Sequence, residues 1–227
     1  MRKLTIGLLS LPFLAQAQDC VLPDSITAYD YPAKATVAEG KDWENPKMAT
    51  DYWMLAVSWS KGFCDSYGGE YPEAKKHQCV NNEFGFVVHG LWAQSKHAGA
   101  DYTKHPRNCV DAPAIGVETL KDYLCVLPGV ELIQKEWEKH GTCDYKKPEP
   151  YLAQTAELYR QINWPTRDEV IEVERTDADT IKQLIISKNP KAGLKAEHMN
   201  VSMGREGKRL AEVYVCYDMQ FKFKSCL

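Results

Sequence analysis

The sequence predicts an α+β fold: a central antiparallel sheet packed with several helices in one disulfide-stabilised domain. Three observations predict it. Strand-like runs come first and last, with helix-period segments between them, the order expected of segregated strands and helices. At 227 residues with 44% hydrophobic and 26% charged residues, the chain holds apolar material for one sizeable core. Eight cysteines stand at positions 20, 64, 79, 109, 125, 143, 216 and 226, and an even count in an exported chain implies up to four disulfides. No Cys-x-x-Cys or Cys-x-x-His pair occurs, so zinc-knuckle spacing is absent.

Taken in order, residues 1–17 read as a signal peptide, with Arg2 and Lys3 ahead of an apolar run and Ala15-Gln16-Ala17 as the cleavage pattern. The run is about half the roughly 20 residues a bilayer-spanning helix needs. A secreted or periplasmic location follows, with no membrane partner. Residues 18–50, with prolines at 23, 32 and 46, read as an irregular arm laid over a domain that occupies 51–227. Tyr52–Trp59 and Phe84–His89 are aromatic and apolar and read as buried strands, with a loop at Gly68-Gly69 between them.

Helical spacing follows over Gly116–Leu127, closed by Pro128-Gly129, and over Val130–His140, where Gly141 takes the place of a C-terminal cap glycine. Glu149–Ile162 and Thr176–Ser187 are further helices, and Thr166 with Glu169 forms a capping box between them. Strands are expected at His198–Met203, Leu210–Met219 and Gln220–Lys224, with Gly204 and Gly207 turning between the first two. The formal charge of −3 excludes binding of nucleic acid by global charge alone. Residues 182–227, however, carry nine Lys and Arg against four Asp and Glu.

Two segments carry the chemistry. In Lys135–Gly141 (KEWEKHG) a helix places Glu136, Lys139 and His140 on one face and turns Trp137 away, toward the core. In FVVHGLW, His89 ends an apolar strand immediately before glycine. Two such histidines suit metal-free RNA cleavage: a neutral imidazole takes the 2′-hydroxyl proton while an imidazolium protonates the departing 5′-oxygen. Both forms coexist because histidine titrates near about 6.5. A fixed ammonium and a polar carboxyl group stabilise the charge that builds on phosphorus. His77, His97, His105 and His198 read as surface or loop histidines, with His97 and His105 near enough to the first segment to touch substrate.

FVVHGLW and EWEKHGTC resemble the two active-site segments of the ribonuclease T2 family of secreted acid ribonucleases, and WMLAVSWSKGFC resembles that family's first core strand and cysteine. The resemblance implies a single-stranded RNA substrate, no cofactor and no metal, and a monomeric chain. By position it makes His89 the general acid, His140 the general base, Glu136 and Lys139 the stabilisers, and Trp92 a base-stacking aromatic. Lys135 stands where many members have a phosphate-contacting histidine, and Ala93-Gln94 stands where Pro-Asp is frequent, so Lys135 and Gln94 are expected at the substrate. Ser58 replaces a common glutamine. The resemblance supports Cys109–Cys143, and Cys64–Cys79 and Cys216–Cys226 fit as local bridges, leaving Cys20–Cys125.

Because a helix C-terminus favours the charged form of His140, activity is expected on the acidic side of neutrality, provided Glu136 and Lys139 do not cancel that tendency. Two other readings compete: a homologue that binds RNA or protein without turnover, and a metal-dependent phosphodiesterase with His89, Glu136 and His140 as ligands.

Overall fold

The computed structural model describes residues 20–67, 75–99, 101–204 and 209–226. The expected leader, the Gly68-Gly69 loop and Gly207 lie outside them. A four-stranded antiparallel sheet runs in the order β2-β1-β4-β3, from β1 (Tyr52–Trp59), β2 (Phe86–Gln94), β3 (Met199–Ser202) and β4 (Glu212–Tyr217). Alternation sorts β1 cleanly. Trp53, Leu55, Val57 and Trp59 are at most 2% exposed on the face that meets the helices, while Met54 and Ser58 are half-buried on the other face.

The helices are α1 (Ala33–Ala38), α2 (Ser60–Tyr67), α3 (Val117–Tyr123), α4 (Val130–Lys139), α5 (Pro148–Arg160), α6 (Arg167–Val173) and α7 (Ala178–Lys188). From α4 and α5, Ile133, Trp137, Tyr151, Leu152 and Leu158 join Trp53 and Leu55 in one apolar core, and Ile181 and Ile185 join it from α7. The Tyr151 hydroxyl donates to the Leu91 carbonyl and accepts from the Leu91 amide, which locks α5 to β2. Thr166 and Glu169 form the expected capping box at α6.

Four disulfides pair Cys20 with Cys125, Cys64 with Cys79, Cys109 with Cys143 and Cys216 with Cys226. They are the four expected bridges, and they place the folded chain in an oxidising compartment.

Several expectations are corrected. The arm holds a helix, α1. α2 was not anticipated, nor was the π-helical turn Lys75–Val80. The second strand runs to Gln94 rather than stopping at His89. Gln220–Lys224 forms no strand and makes only the bridge from Phe223 to Tyr217, because Phe221 turns the chain with a φ of 58°.

His77 and His198 are interior rather than surface residues. His77 bonds the Leu124 carbonyl, and His198 stacks on Phe223. Gly141 is not needed for a left-handed cap, since its φ is not positive. A Cβ there would meet Trp137 Cε3 at 2.4 Å and Tyr151 Cγ at 2.8 Å, so close approach is what demands glycine.

Candidate active site

His89 reaches the cleft through a β-bulge. The ladder pairs Ala56 with Gly90 and Val57 with Val88, which leaves His89 without a partner across the sheet. Such an extra residue re-aims a side chain that strict alternation would fix. Its Nδ1 lies 2.6 Å from Glu212 Oε1 on β4. That carboxylate also accepts from Ser58 Oγ at 2.9 Å and from the Tyr214 hydroxyl at 2.5 Å. Burial drives His89 toward its neutral form, but the charge of Glu136 and the hydrogen bond and charge of Glu212 outweigh it and raise the pKa to about 9. Glu212 is itself buried, which opposes ionisation, yet its bonds to His89, Tyr214 and Ser58 hold it down at about 2.

The end of α4 supplies the opposite wall. Glu136, 4% exposed, stands between the histidines, with Oε1 3.7 Å from His89 Nε2 and Oε2 3.9 Å from His140 Nε2. The Trp92 indole N–H donates to Glu136 Oε2 at 2.7 Å. The same ring stacks on His140 at 5.5 Å and lies edge-on to His89 at 5.3 Å. Gly90 makes room for this arrangement, because a Cβ there would stand 2.0 Å from Glu136 Oε2.

A third wall comes from the loop before Cys109 and from the arm. Arg107 NH1 lies 3.0 Å from His140 Nε2, and its Nε and NH2 grip Asp42 at 2.6 and 3.2 Å. Arg107 also lies 4.2 Å above the Trp43 ring. Lys139 Nζ is 3.5 Å from Asp42 and 5.3 Å above Tyr31. Asp42 is buried, which alone would raise its pKa, but Arg107, the Trp43 amide and Lys139 hold it near 2.

The tendency of the helix C-terminus to charge His140 is cancelled, with Lys139 among the causes. Burial, then the charges of Arg107, Lys139 and His89, push its pKa well below 6.5, because this many cations at close range outweigh the helix C-terminus. Lys139 is likewise lowered, chiefly by burial.

His89, Glu136, Lys139 and His140 thus line one cleft of about 340 Å³, together with Trp92, Gln94, His105 and Arg107. Gln94 lines it while its amide donates to the Ala93 carbonyl. Lys135 does not: it turns outward and lies over Tyr29, because Glu131, one turn back on α4, pairs with its ammonium at 2.8 Å. His105 lines the cleft and accepts the Ser95 amide at Nδ1, whereas His97 is an exposed residue outside the lining.

The profile of the Ribonuclease T2 family matches residues 50–226. A probable ribonuclease of Haemophilus influenzae is 36% identical over 189 residues, 81% of this chain and 63% of the relative. A ribonuclease of Aeromonas hydrophila is 32% identical over 93 residues, 41% of this chain and 37% of the relative. The chain therefore spans less than two thirds of the length of these relatives. Among solved structures, trichomaglin, described as a novel S-like ribonuclease, aligns with a TM-score of 0.58 at 20% identity over 78% of this chain and 91% of its own. RNase NT, solved in complex with 5′-AMP, aligns at 0.56 and 18% identity over 79% of this chain and 91% of its own. This chain belongs to the ribonuclease T2 family.

The two ribonuclease T2 segments supply β2 with its bulge and the end of α4, the two elements that carry the paired histidines. Glu212, Asp42, Trp43 and Arg107 went unrecognised in the sequence. Glu212 left a faint signal, a carboxylate opening an apolar strand. Arg107 left another, two residues before a cysteine bridged to Cys143 just after α4. Asp42 and Trp43 precede the family-matched segment and left none.

Proposed function

We propose that this ribonuclease T2 family protein is a metal-independent endoribonuclease that cleaves single-stranded RNA through a 2′,3′-cyclic phosphate, exported by the leader at residues 1–17. One observation carries the reading: two imidazoles share a cleft and are driven to opposite protonation states. Neutral His140 takes the 2′-hydroxyl proton, the 2′-oxygen attacks phosphorus, and charged His89 delivers its Nε2 proton to the departing 5′-oxygen. Glu136 keeps the proton on His89, and Lys139 stabilises charge on the nonbridging oxygens. Water then opens the cyclic phosphate with the two histidines exchanging roles. Single strands are favoured because the 2′-oxygen must swing in line with the leaving group, which a paired helix prevents.

The test is end-group analysis of RNA cut in excess EDTA by the wild type and by His89→Ala and His140→Ala. Cyclic phosphate ends are expected from the wild type, and each variant should lose about 10²- to 10⁴-fold in kcat/KM. Full activity in either variant, or dependence on added metal, would overturn the proposal. A binding protein without turnover would yield no cyclic ends at all.

A further inference from the structure

With Lys135 turned out of the cleft, Lys139 is left as the lysine at the scissile phosphate, and a second cation must come from another element. Arg107 is already in place. Its guanidinium presents one edge to Asp42 in a two-pronged pair, leaving the NH1 end facing the cleft. The side chains are 14% and 3% exposed, so the fork is fixed before any ligand arrives. A planar guanidinium held this way suits phosphate oxygens better than a mobile ammonium. In the empty cleft, however, NH1 is spent on His140 Nε2. His140 Nδ1 is buried with no partner among the described residues. Neutral His140 therefore carries its proton on Nδ1 and offers Nε2 as the basic atom, the same atom that Arg107 covers.

We propose that Arg107, aimed by Asp42 from the N-terminal arm, is the phosphate-binding cation of this site and also guards its base. A phosphate oxygen draws NH1 off His140, which frees the Nε2 lone pair for the 2′-hydroxyl. Phosphate binding and release of the base thereby become one event. The anion also stands between the guanidinium and the imidazolium that forms when Nε2 takes the proton. The arm, which precedes the family-matched residues 50–226, is on this account part of the catalytic site. Substrate identity rests on the ribonuclease reading; the anion site does not.

The groups facing His140 are Arg107 and His105 from the loop, Lys139 and Glu136 from α4, and His89 from β2. Removing the Arg107 charge therefore raises the His140 pKa and moves the acid limb of kcat/KM toward neutral pH. The experiment titrates inorganic phosphate into the full chain while the His140 ring is followed by NMR, beside pH profiles on RNA. Arg107→Ala should weaken phosphate binding at least tenfold and shift the acid limb, whereas Lys135→Ala should bind phosphate as the wild type does. Arg107→Lys should recover part of the affinity, and Asp42→Asn should raise KM more than it lowers kcat.

Because Arg107→Ala strands a buried carboxylate, the double variant Asp42→Asn, Arg107→Gln removes both charges and should show the same two shifts. Wild-type phosphate affinity or an unmoved acid limb in these Arg107 variants would overturn the proposal, as would loss of binding in Lys135→Ala. A wild-type chain that binds phosphate through Arg107 but cuts no RNA would overturn the ribonuclease reading and leave the clamp standing.

Discussion

At the scale of single residues, the proposed mechanism depends on neighbours that push two chemically identical side chains apart. Glu136 lies near both histidines, but its charge acts chiefly on His89, where it is the largest influence raising the pKa. Glu212 beneath His89 adds to that effect, and burial with Arg107 against His140 pushes the other imidazole the opposite way. A carboxylate partner favours imidazolium and a cation partner favours imidazole. The free enzyme should therefore show a bell-shaped kcat/KM, with an acid limb well below 6.5 from His140 and an alkaline limb near 9 from His89. Glu212→Gln removes a charge that raises the His89 pKa, so the alkaline limb should move to lower pH while the acid limb stays in place. Rate profiles of the two proteins from about pH 4 to 10 check this, and an unmoved alkaline limb would show that Glu212 does not govern the acid. The four catalytic candidates were legible because each lies in a short segment that carries its own pattern. Glu212 and Arg107 were not, because they meet their histidines across 123 and 33 residues of chain.

At the scale of elements, one bulge and one disulfide do most of the positioning. The β-period and the 3.6 period revealed β1, α4 and α5 nearly to their ends, since each buries a regular face. The bulge defeated the same reasoning: His89-Gly90 breaks alternation and looks like a strand terminus, yet the ladder resumes at Gly90 and returns Leu91 to the core side. The glycine has a separate cause, the Glu136 carboxylate packed against it, which no local pattern encodes. On the other wall, Cys109–Cys143 joins the Arg107 loop to the residues just after α4. Its sequence separation of 34 implies about 4 kcal/mol of stabilisation through loop closure, against about 3 kcal/mol for Cys64–Cys79 with a separation of 15. Replacing either pair with alanine should lower the denaturation midpoint by comparable amounts. Only the Cys109, Cys143 double variant should also lower kcat/KM at a temperature where both proteins remain folded, because it alone unties the loop that holds Arg107 in the cleft. Equal activity losses would mean that the loop holds its place without the bridge.

At the scale of the whole molecule, the sheet and its helices account for stability, and the open sheet face, the end of α4 and the arm together make the cleft. The α+β class and all four cysteine pairs were legible, whereas the arm's part in the cleft was not: its contribution is a few side chains without periodicity, placed by tertiary contact alone. The charge distribution gives a last test. The formal charge is −3, and among the described residues the cleft holds Arg107, Lys139 and protonated His89 as the cations for the proposed phosphate chain. Three lysines of the basic C-terminal part are engaged elsewhere, Lys188 with Glu169, Lys195 with Glu197 and Lys224 over Tyr52. Three cations on a single strand predict that log affinity falls with log salt at a slope of about −2, from roughly −0.7 per phosphate neutralised. A 2′-O-methyl oligonucleotide, which has no free 2′-hydroxyl to attack, allows that slope to be measured without cleavage. A slope steeper than about −4 would mean that the C-terminal lysines track the RNA as well, and that the substrate is gripped by a surface much larger than the cleft.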